Sequence, residues 1–360
     1  MVPGIAAAGA AVVLGAERWW AMVQPETFDP LPAQLAWQGT QDGRERRPQL
    51  GELIRAGGLE LDSPGAAAPA TRPSALIRRL RQPWRGGITC MGGDEAPYLL
   101  TNAELETADR FAGLDAVFDH VTRGHLTRLG LAPGAHCLEV GAGSGSIARW
   151  MADQVGPGGR VLAVDLDPRW CRPAGRAQLE VRALDLVAQP VPAGPWDVIH
   201  ERLVLQHIPQ RLDVLARLVA ALAPGGVLLV EDFDTGEVRT LDRAGPHHEL
   251  IARMARAFNR LLGTRGGISD FAANALRTLR EHGLADTGAS GYVPIDHGGT
   301  GWATVQAANA RQVRDGLIGQ GIAPADIDLF LEVLADPDTI VGSSVLISAW
   351  GHRPDALPTL

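Results

Sequence analysis

The 360-residue sequence contains no lysine. All 33 basic residues are arginine, which reads as the compositional bias of a GC-rich coding sequence and not as a functional sign. Cysteine is scarce as well. Cys90, Cys137 and Cys171 are odd in number and no pair has metal-ligand spacing, so no metal is expected and the three read as packing residues in a reducing compartment. Long hydrophobic runs are missing. Residues 5–14 are small and apolar, but Glu17 and Arg18 end the run well short of the ~20 residues that cross a bilayer, and it lacks the basic start of a signal peptide. A soluble, cytoplasmic protein with no membrane partner is expected. Positive charge is also short over most of the chain. Residues 1–90 hold ten Arg against eight acidic groups, which leaves 23 Arg against 33 Asp and Glu in the remainder. A surface with that balance matches phosphate backbones poorly, so no nucleic-acid partner is expected.

What is present divides at about residue 90. Residues 1–90 are rich in Ala, Gly, Pro and Arg and are broken by Ser63-Pro64-Gly65 and Gln82-Pro83-Trp84-Arg85-Gly86-Gly87, so neither helical nor alternating periodicity survives. They read as a low-complexity or loosely packed N-terminal extension. Two origins stay open: Met91 as the real start with an upstream extension of the gene, or a genuine segment that caps or dimerises the domain, for which Trp19, Trp20, Trp37 and Trp84 speak. Residues 91–135 are helical in texture. Thr101 or Asn102 is expected to cap a first helix with help from Glu104. Phe111, Leu114, Val117, Phe118 and Val121 recur at helical spacing, and Gly130 and Pro133-Gly134 close the pair.

The chain is organised around Cys137-Leu138-Glu139-Val140-Gly141-Ala142-Gly143-Ser144-Gly145-Ser146-Ile147. An apolar run ending in glycines at every second position, then a helical pattern, reads as strand, tight turn and helix, with glycine used where a ligand must approach the backbone. Ile147 stands where a dinucleotide fingerprint would have its third glycine. A strand–helix alternation follows, with strands at 136–140, 160–164, 179–182, 196–200 and 227–230, which argues a parallel sheet covered on both faces. The second helix is poorly encoded because Pro168 and Pro173 interrupt it. Helical patterns at 247–262, 270–281, 302–318 and 323–334 surround a sixth strand expected at 291–295 and precede a last strand at 344–350. Asp165 closes strand two, 24 positions after Gly141 and close to the ~20 expected for a carboxylate that accepts from both hydroxyls of a ribose.

The Gly-x-Gly-x-Gly turn with Glu139 two residues ahead of it resembles motif I of the class I S-adenosylmethionine-dependent methyltransferases. Trp196-Asp197-Val198-Ile199-His200-Glu201-Arg202, followed by Leu203-Val204-Leu205-Gln206-His207-Ile208-Pro209, resembles their motif IV. Leu222-Ala223-Pro224-Gly225-Gly226 with the strand to Asp234 resembles their late Pro-Gly-Gly strand. The resemblance covers about residues 98–350 and rests on the order and spacing of the whole set. It implies an α/β fold: a doubly wound, seven-stranded mixed sheet, Rossmann-like, with a final hairpin that sets strand seven antiparallel between strands five and six. It implies a helical lid over 91–135, with Tyr98 and Arg110 on or near it as contacts or as ordinary packing and surface residues. The methyltransferase domain would span 136–360, with helical insertions at about 240–285 and 301–337 housing specificity.

The resemblance further implies S-adenosyl-L-methionine as cofactor, held by Glu139, Gly141, Ala142, Gly143, Asp165, Leu166, Asp185, Leu186 and Glu201. Asp165 would take the ribose, Asp185 and the Leu186 amide the adenine, and Glu139 would lie near the ammonium group. Glu201 and His207 would face the acceptor, His207 as a general base or as a helix-start residue that merely packs. Asp232 and Asp234 would shape the acceptor pocket or form a turn. The Asn-Pro-Pro-Tyr signature of nucleobase amino methylation is missing from strand four. The function so implied is methyl transfer to oxygen, nitrogen or carbon of a small molecule, in secondary metabolism or on a quinone precursor, with a homodimer among the expected states. The alternatives are a cyclase or scaffold that binds the cofactor without methylating, and an NAD-dependent oxidoreductase.

Overall fold

The computed structural model describes residues 99–236, 241–267 and 270–355. The N-terminal extension, Tyr98, Cys90 and the four N-terminal tryptophans lie outside the described residues. The described chain opens with one long helix, α1 (Thr107–Arg128), where two were expected. Neither Thr101 nor Asn102 caps it: Glu106 occupies the cap position, Thr107 donates its hydroxyl to the Thr101 carbonyl, and Asn102 donates to the carbonyl of Asp167 at 3.0 Å.

The sheet then builds through β1 (His136–Val140), α2 (Ser146–Val155), β2 (Arg160–Asp165), β3 (Leu179–Ala183), β4 (Trp196–Arg202), α3 (Arg211–Ala221) and β5 (Leu222–Asp234). Between β2 and β3 only a 3-10 turn forms, Pro168–Trp170, as the two prolines require. The C-terminal part adds α4 (His248–Gly263), α5 (Phe271–Glu281), β6 (Ala285–Tyr292), β7 (Ile295–His297), α6 (Gly301–Gln312), α7 (Arg314–Gly319), α8 (Pro324–Ala335), β8 (Ile340–Gly342) and β9 (Val345–His352). The sixth strand therefore starts six residues before its expected place. It is an edge strand, largely exposed, and lacks the apolar alternation that would reveal it. β7 and β8 form a small separate two-stranded sheet that the sequence did not announce.

The main sheet has seven strands in the order β3-β2-β1-β4-β5-β9-β6, with β9 antiparallel to both neighbours and the rest parallel. This is the doubly wound mixed sheet. Strand order reverses between β1 and β4, so the crevice beyond their carboxyl ends is the expected ligand position in such a fold. The parallel strands are near-continuous apolar runs because helices bury both faces. Leu138, Leu162, Ile199 and Leu228 pack on α3 residues Leu215 and Leu218, while Cys137, Val161 and Leu229 share the other face with Met151 of α2. A further cluster joins α1, α4, α6, α7 and α8 around Phe118 and Phe330.

Candidate active site

The glycine turn leaves β1 at the switch point. Gly141 has φ +68°, and a Cβ there would lie 2.1 Å from Cγ2 of Val204, so both its conformation and its neighbour demand glycine. At Gly143, φ +51°, the ring of Phe111 from α1 lies over the turn. The amide of Gly143 donates to Asp165 Oδ2 at 2.9 Å and that of Asp167 donates to Oδ1 at 2.9 Å. Burial pushes the Asp165 carboxyl up despite these two bonds. Each oxygen accepts one amide and keeps a second lone pair. Ser144 and Ser146 at the start of α2 donate their hydroxyls to Asp115 of α1 at 2.7 and 3.0 Å, and Ser146 also reaches Asp119 at 3.1 Å.

On one face of the sheet lies a row of buried polar groups. Register pairs Glu139 with His200, Arg202 with Glu231, and Glu231 with Ser348. His200 Nδ1 is 2.7 Å from Glu139 Oε2 and its Nε2 is 3.2 Å from Glu231 Oε2. Burial pulls the His200 pKa down, but Glu139 and then Glu231 outweigh it and raise it to about 10, so the ring is an imidazolium between two carboxylates. Glu231 also accepts from Ser348 at 2.6 Å and from Thr122 of α1. Burial raises its carboxyl, and hydrogen bonds from His125, His200 and Ser348 carry it far below the usual range. Arg202 donates to Thr122 and Asp119, both at 3.0 Å.

The opposite face of the same strands carries Glu201 and Asp232, both fully buried. Glu201 Oε2 accepts the amides of Val204 at 3.1 Å and Leu205 at 3.4 Å, and Asp232 Oδ2 accepts that of Gln206 at 3.2 Å. Their other oxygens, Glu201 Oε1 and Asp232 Oδ1, have no protein donor. The two carboxyls meet each other, and a proton between them satisfies both. Burial first, then Asp232, raises Glu201 well above the ordinary value. Burial likewise raises Asp232, to about 7.

Beyond the ends of β4 and β5 opens an apolar cavity of about 140 Å³. Leu203, His207, Phe233, Met254, Trp302 and Phe330 are among its walls, contributed by the segment after β4, the end of β5, α4, α6 and α8. His207 is a wall residue. Burial, then Arg110 and Arg211, pushes its pKa down to about 4, so it is neutral near pH 7. Gln206 bridges this wall to the strand: its Oε1 accepts the Phe233 amide at 3.3 Å and its Nε2 lies 3.2 Å from His207 Nε2. A glycine turn and strand-end acid at the switch point, beside an apolar chamber, is the arrangement, and a family profile described as a methyltransferase domain matches residues 117–284. Over residues 117–284 the chain is similar to a methyltransferase domain.

Relatives of the methyltransferase domain agree. Methyltransferase str2 of Strobilurus tenacellus is 38% identical over 157 residues, which are 42% of this chain and 54% of that protein. The ubiquinone/menaquinone biosynthesis C-methyltransferase UbiE of Bordetella parapertussis is 31% identical over 129 residues, 34% of this chain and 48% of that protein. Trans-aconitate 2-methyltransferase of Paracidovorax citrulli is 29% identical over 206 residues, 55% of this chain and 73% of that protein. The chain thus spans about half the length of the Strobilurus and Bordetella proteins.

The methyltransferase domain does not bring all the expected site residues together. Gly141, Ala142, Gly143 and Asp165 lie at one corner, and Leu166 beside them is 55% exposed. Asp185 follows beside this corner, the preceding Leu184 amide donating to the Asp165 carbonyl at 2.9 Å; its Oδ1 accepts from Val187 at 2.8 Å and Ala188 at 3.2 Å, and Leu186 is buried. Glu139 points to His200, whose side chain had not been considered. Glu201 lies beneath the 204–206 turn with Asp232 and is not among the cavity walls, so it parts from His207. Asp234 closes a turn by accepting from Gly236 at 3.1 Å. Arg110 is buried, not a surface charge, and donates to Leu100, Gln312 and Asn102. The roles of Asp115, Asp119 and Thr122 went unread because only strand register and helix placement bring them to the sheet.

Proposed function

We propose that this chain transfers a methyl group from S-adenosylmethionine to oxygen, nitrogen or carbon of a small molecule seated in the apolar cavity. The observation that carries the reading is the adjacency of the Asp165 corner and the cavity, with the segment 203–207 reaching from the switch point into the cavity wall. The cofactor fits the residues present. The free lone pairs on both Asp165 oxygens suit a ribose diol.

When bound, the cofactor supplies an already electrophilic methyl group, so the protein's work is to position and to exclude water. The chamber is lined by Leu, Met, Phe and Trp side chains, which suits exclusion of water. Neutral His207 at the wall can accept a proton from a hydroxyl or protonated amine as it loses its hydrogen. Glu201 and Asp232 act on the backbone instead, holding the 204–206 amides and so the wall that bears His207. The reading includes a cytoplasmic setting. Cys137 and Cys171 are free and buried, and burial pushes both thiols up, Cys171 to about 11, as suits a reducing compartment. Among the described residues no helix is long and apolar enough to cross a membrane.

The test is a thermal-shift comparison of S-adenosylhomocysteine with NAD, followed by transfer of labelled methyl to a lysate of small molecules. Stabilisation by S-adenosylhomocysteine and a labelled product support the reading. Stabilisation by NAD alone ends it, and binding without any labelled product points to a cyclase or scaffold.

A further inference from the structure

Three polar atoms in the cavity region are buried without a hydrogen-bond partner: Nε1 of Trp302, Oε1 of Gln306 and Oδ1 of Asn309. All three residues line the cavity, and all three stand on α6. Their spacing of four and then three residues places them on one helical face. Elsewhere the described walls are dominated by Leu, Ile, Met, Phe and Val. Each such orphan costs stability in a folded protein, so a row of three on a single wall calls for a ligand that pairs with it.

The row is also held in place. The Trp302 ring stands edge-on to Phe233 at 5.4 Å and to Phe118 at 6.0 Å, and its backbone amide is capped by Asp296 Oδ2 at 2.7 Å. The indole N–H is therefore aimed before any ligand arrives. Indole is a donor only, whereas an amide presents a carbonyl and an NH2 group side by side. The α6 row offers one fixed donor and two amide side chains. Size limits what can use it: about 140 Å³ is close to the ~150 Å³ of an apolar cavity that takes up benzene. No carboxylate stands among the described wall residues and His207 is neutral near pH 7, so nothing there calls for a cationic ligand.

Building on the methyl-transfer reading, we infer that α6 is the acceptor-recognition helix. Trp302, Gln306 and Asn309 together bind a single-ring acceptor that carries a hydroxyl and a second oxygen. The ring fills the apolar chamber and a carbonyl or ether oxygen takes the Trp302 N–H, while the hydroxyl donates its one hydrogen to one amide oxygen and accepts an N–H from the other amide, turned end for end.

The test uses the full chain, with and without S-adenosylhomocysteine, titrated with 4-hydroxybenzaldehyde and with p-xylene. The first is one ring bearing a hydroxyl and a carbonyl, and the second is similar in size with no polar atom. Wild type is expected to prefer the hydroxyaldehyde by about tenfold or more. The double variant Gln306→Leu/Asn309→Leu is expected to erase that preference, and Trp302→Phe to cut it by about fivefold. The melting temperature of the double variant is expected to stay level or rise, because leucine removes two buried amide oxygens that have no partner. Overturning results are an unchanged preference in the variants, no discrimination or no binding by wild type, or a clear fall in melting temperature, which would make the amides structural. The S-adenosylhomocysteine shift in the same samples separates the two readings. Its loss counts against the methyl donor, and its presence without probe discrimination counts against this inference alone.

Discussion

Replacing Asp232 by Asn should change how stability depends on pH, and by a calculable amount. Burial raises the Asp232 carboxyl from 3.8 to about 7. A carboxyl whose folded value is raised contributes stability that is complete below its unfolded value and is lost as pH climbs through the folded one. Between about pH 5 and pH 7 the native chain keeps this proton and the unfolded chain does not, which at about 1.4 kcal/mol per unit amounts to roughly 3 kcal/mol. Asparagine keeps an oxygen for the Gln206 amide, offers an N–H to Glu201 Oε1, and does not titrate. His207 works in the opposite sense: lowered to about 4, it makes stability rise with pH up to its ordinary value of 6.5, but equally in both proteins. Urea melts of wild type and Asp232→Asn at one-unit steps from pH 5 to pH 9 read this term together with that of Glu201, which Asp232 also raises and which acts in the same direction. The stability of wild type minus that of the variant should fall by roughly 3 kcal/mol, mostly below pH 7. Parallel curves, differing by a constant within about 0.5 kcal/mol, would refute a protonated pair beneath the 204–206 turn.

Other outcomes follow from the same geometry. Asp165→Ala should weaken S-adenosylhomocysteine binding by about tenfold or more while melting stays cooperative, read by calorimetric titration. Gly141→Ala should cost about 2–4 kcal/mol in urea melts, and a paired Val204→Ala should recover the clash but not the ~1–2 kcal/mol due to the left-handed backbone. His200→Asn should cost about 3–5 kcal/mol near pH 7, because it strips the imidazolium from two buried carboxylates, whereas the triple variant Glu139→Gln/His200→Asn/Glu231→Gln should cost less than that single change. With a hydroxyl acceptor, His207→Ala should depress turnover more than it alters S-adenosylhomocysteine affinity, and wild-type turnover should show no His207 titration above about pH 5, as its pKa of about 4 requires.

What could be read from the chain was what local chemistry dictates. The apolar runs, the glycine turn and the terminal acid at Asp165 signal themselves within a few residues, and their order is enough to lay out the parallel part of the sheet. The helices at His248–Gly263, Phe271–Glu281 and Pro324–Ala335 also announced themselves, because their apolar stripes keep the 3.6-residue period. β6 did not: Gly288 and Gly291 stand where side chains would alternate, because at Gly288 the Trp350 ring takes that space. The start of α1 was misjudged because Thr101 and Asn102 look like caps, yet their hydrogen bonds go to Glu104 and Asp167 instead. Partners set by cross-strand register stayed hidden. Glu139 and His200 are 61 positions apart, and nothing in either neighbourhood says that they touch. The same holds for Glu201 with Asp232 and for the α6 wall, where a row of Trp, Gln and Asn reads as an ordinary helix until the cavity beside it is seen.

One helix is fastened unevenly. From Asp115 to His125, α1 is bound to the sheet and to α2 through Ser144, Ser146, Arg202, Glu231 and Ser290, largely by charged or buried groups. Toward its start, Phe111 lies over Gly143, Arg110 donates to Leu100, Asn102 and Gln312, and the segment preceding the helix touches the Asp165 corner through neutral bonds from Asn102 to Asp167 and from Trp170 to Asn102. The far half is thus tied to the sheet by charge, and the near half to α6 by Arg110, which donates to Gln312, and by Gly113, packed closely against Val305.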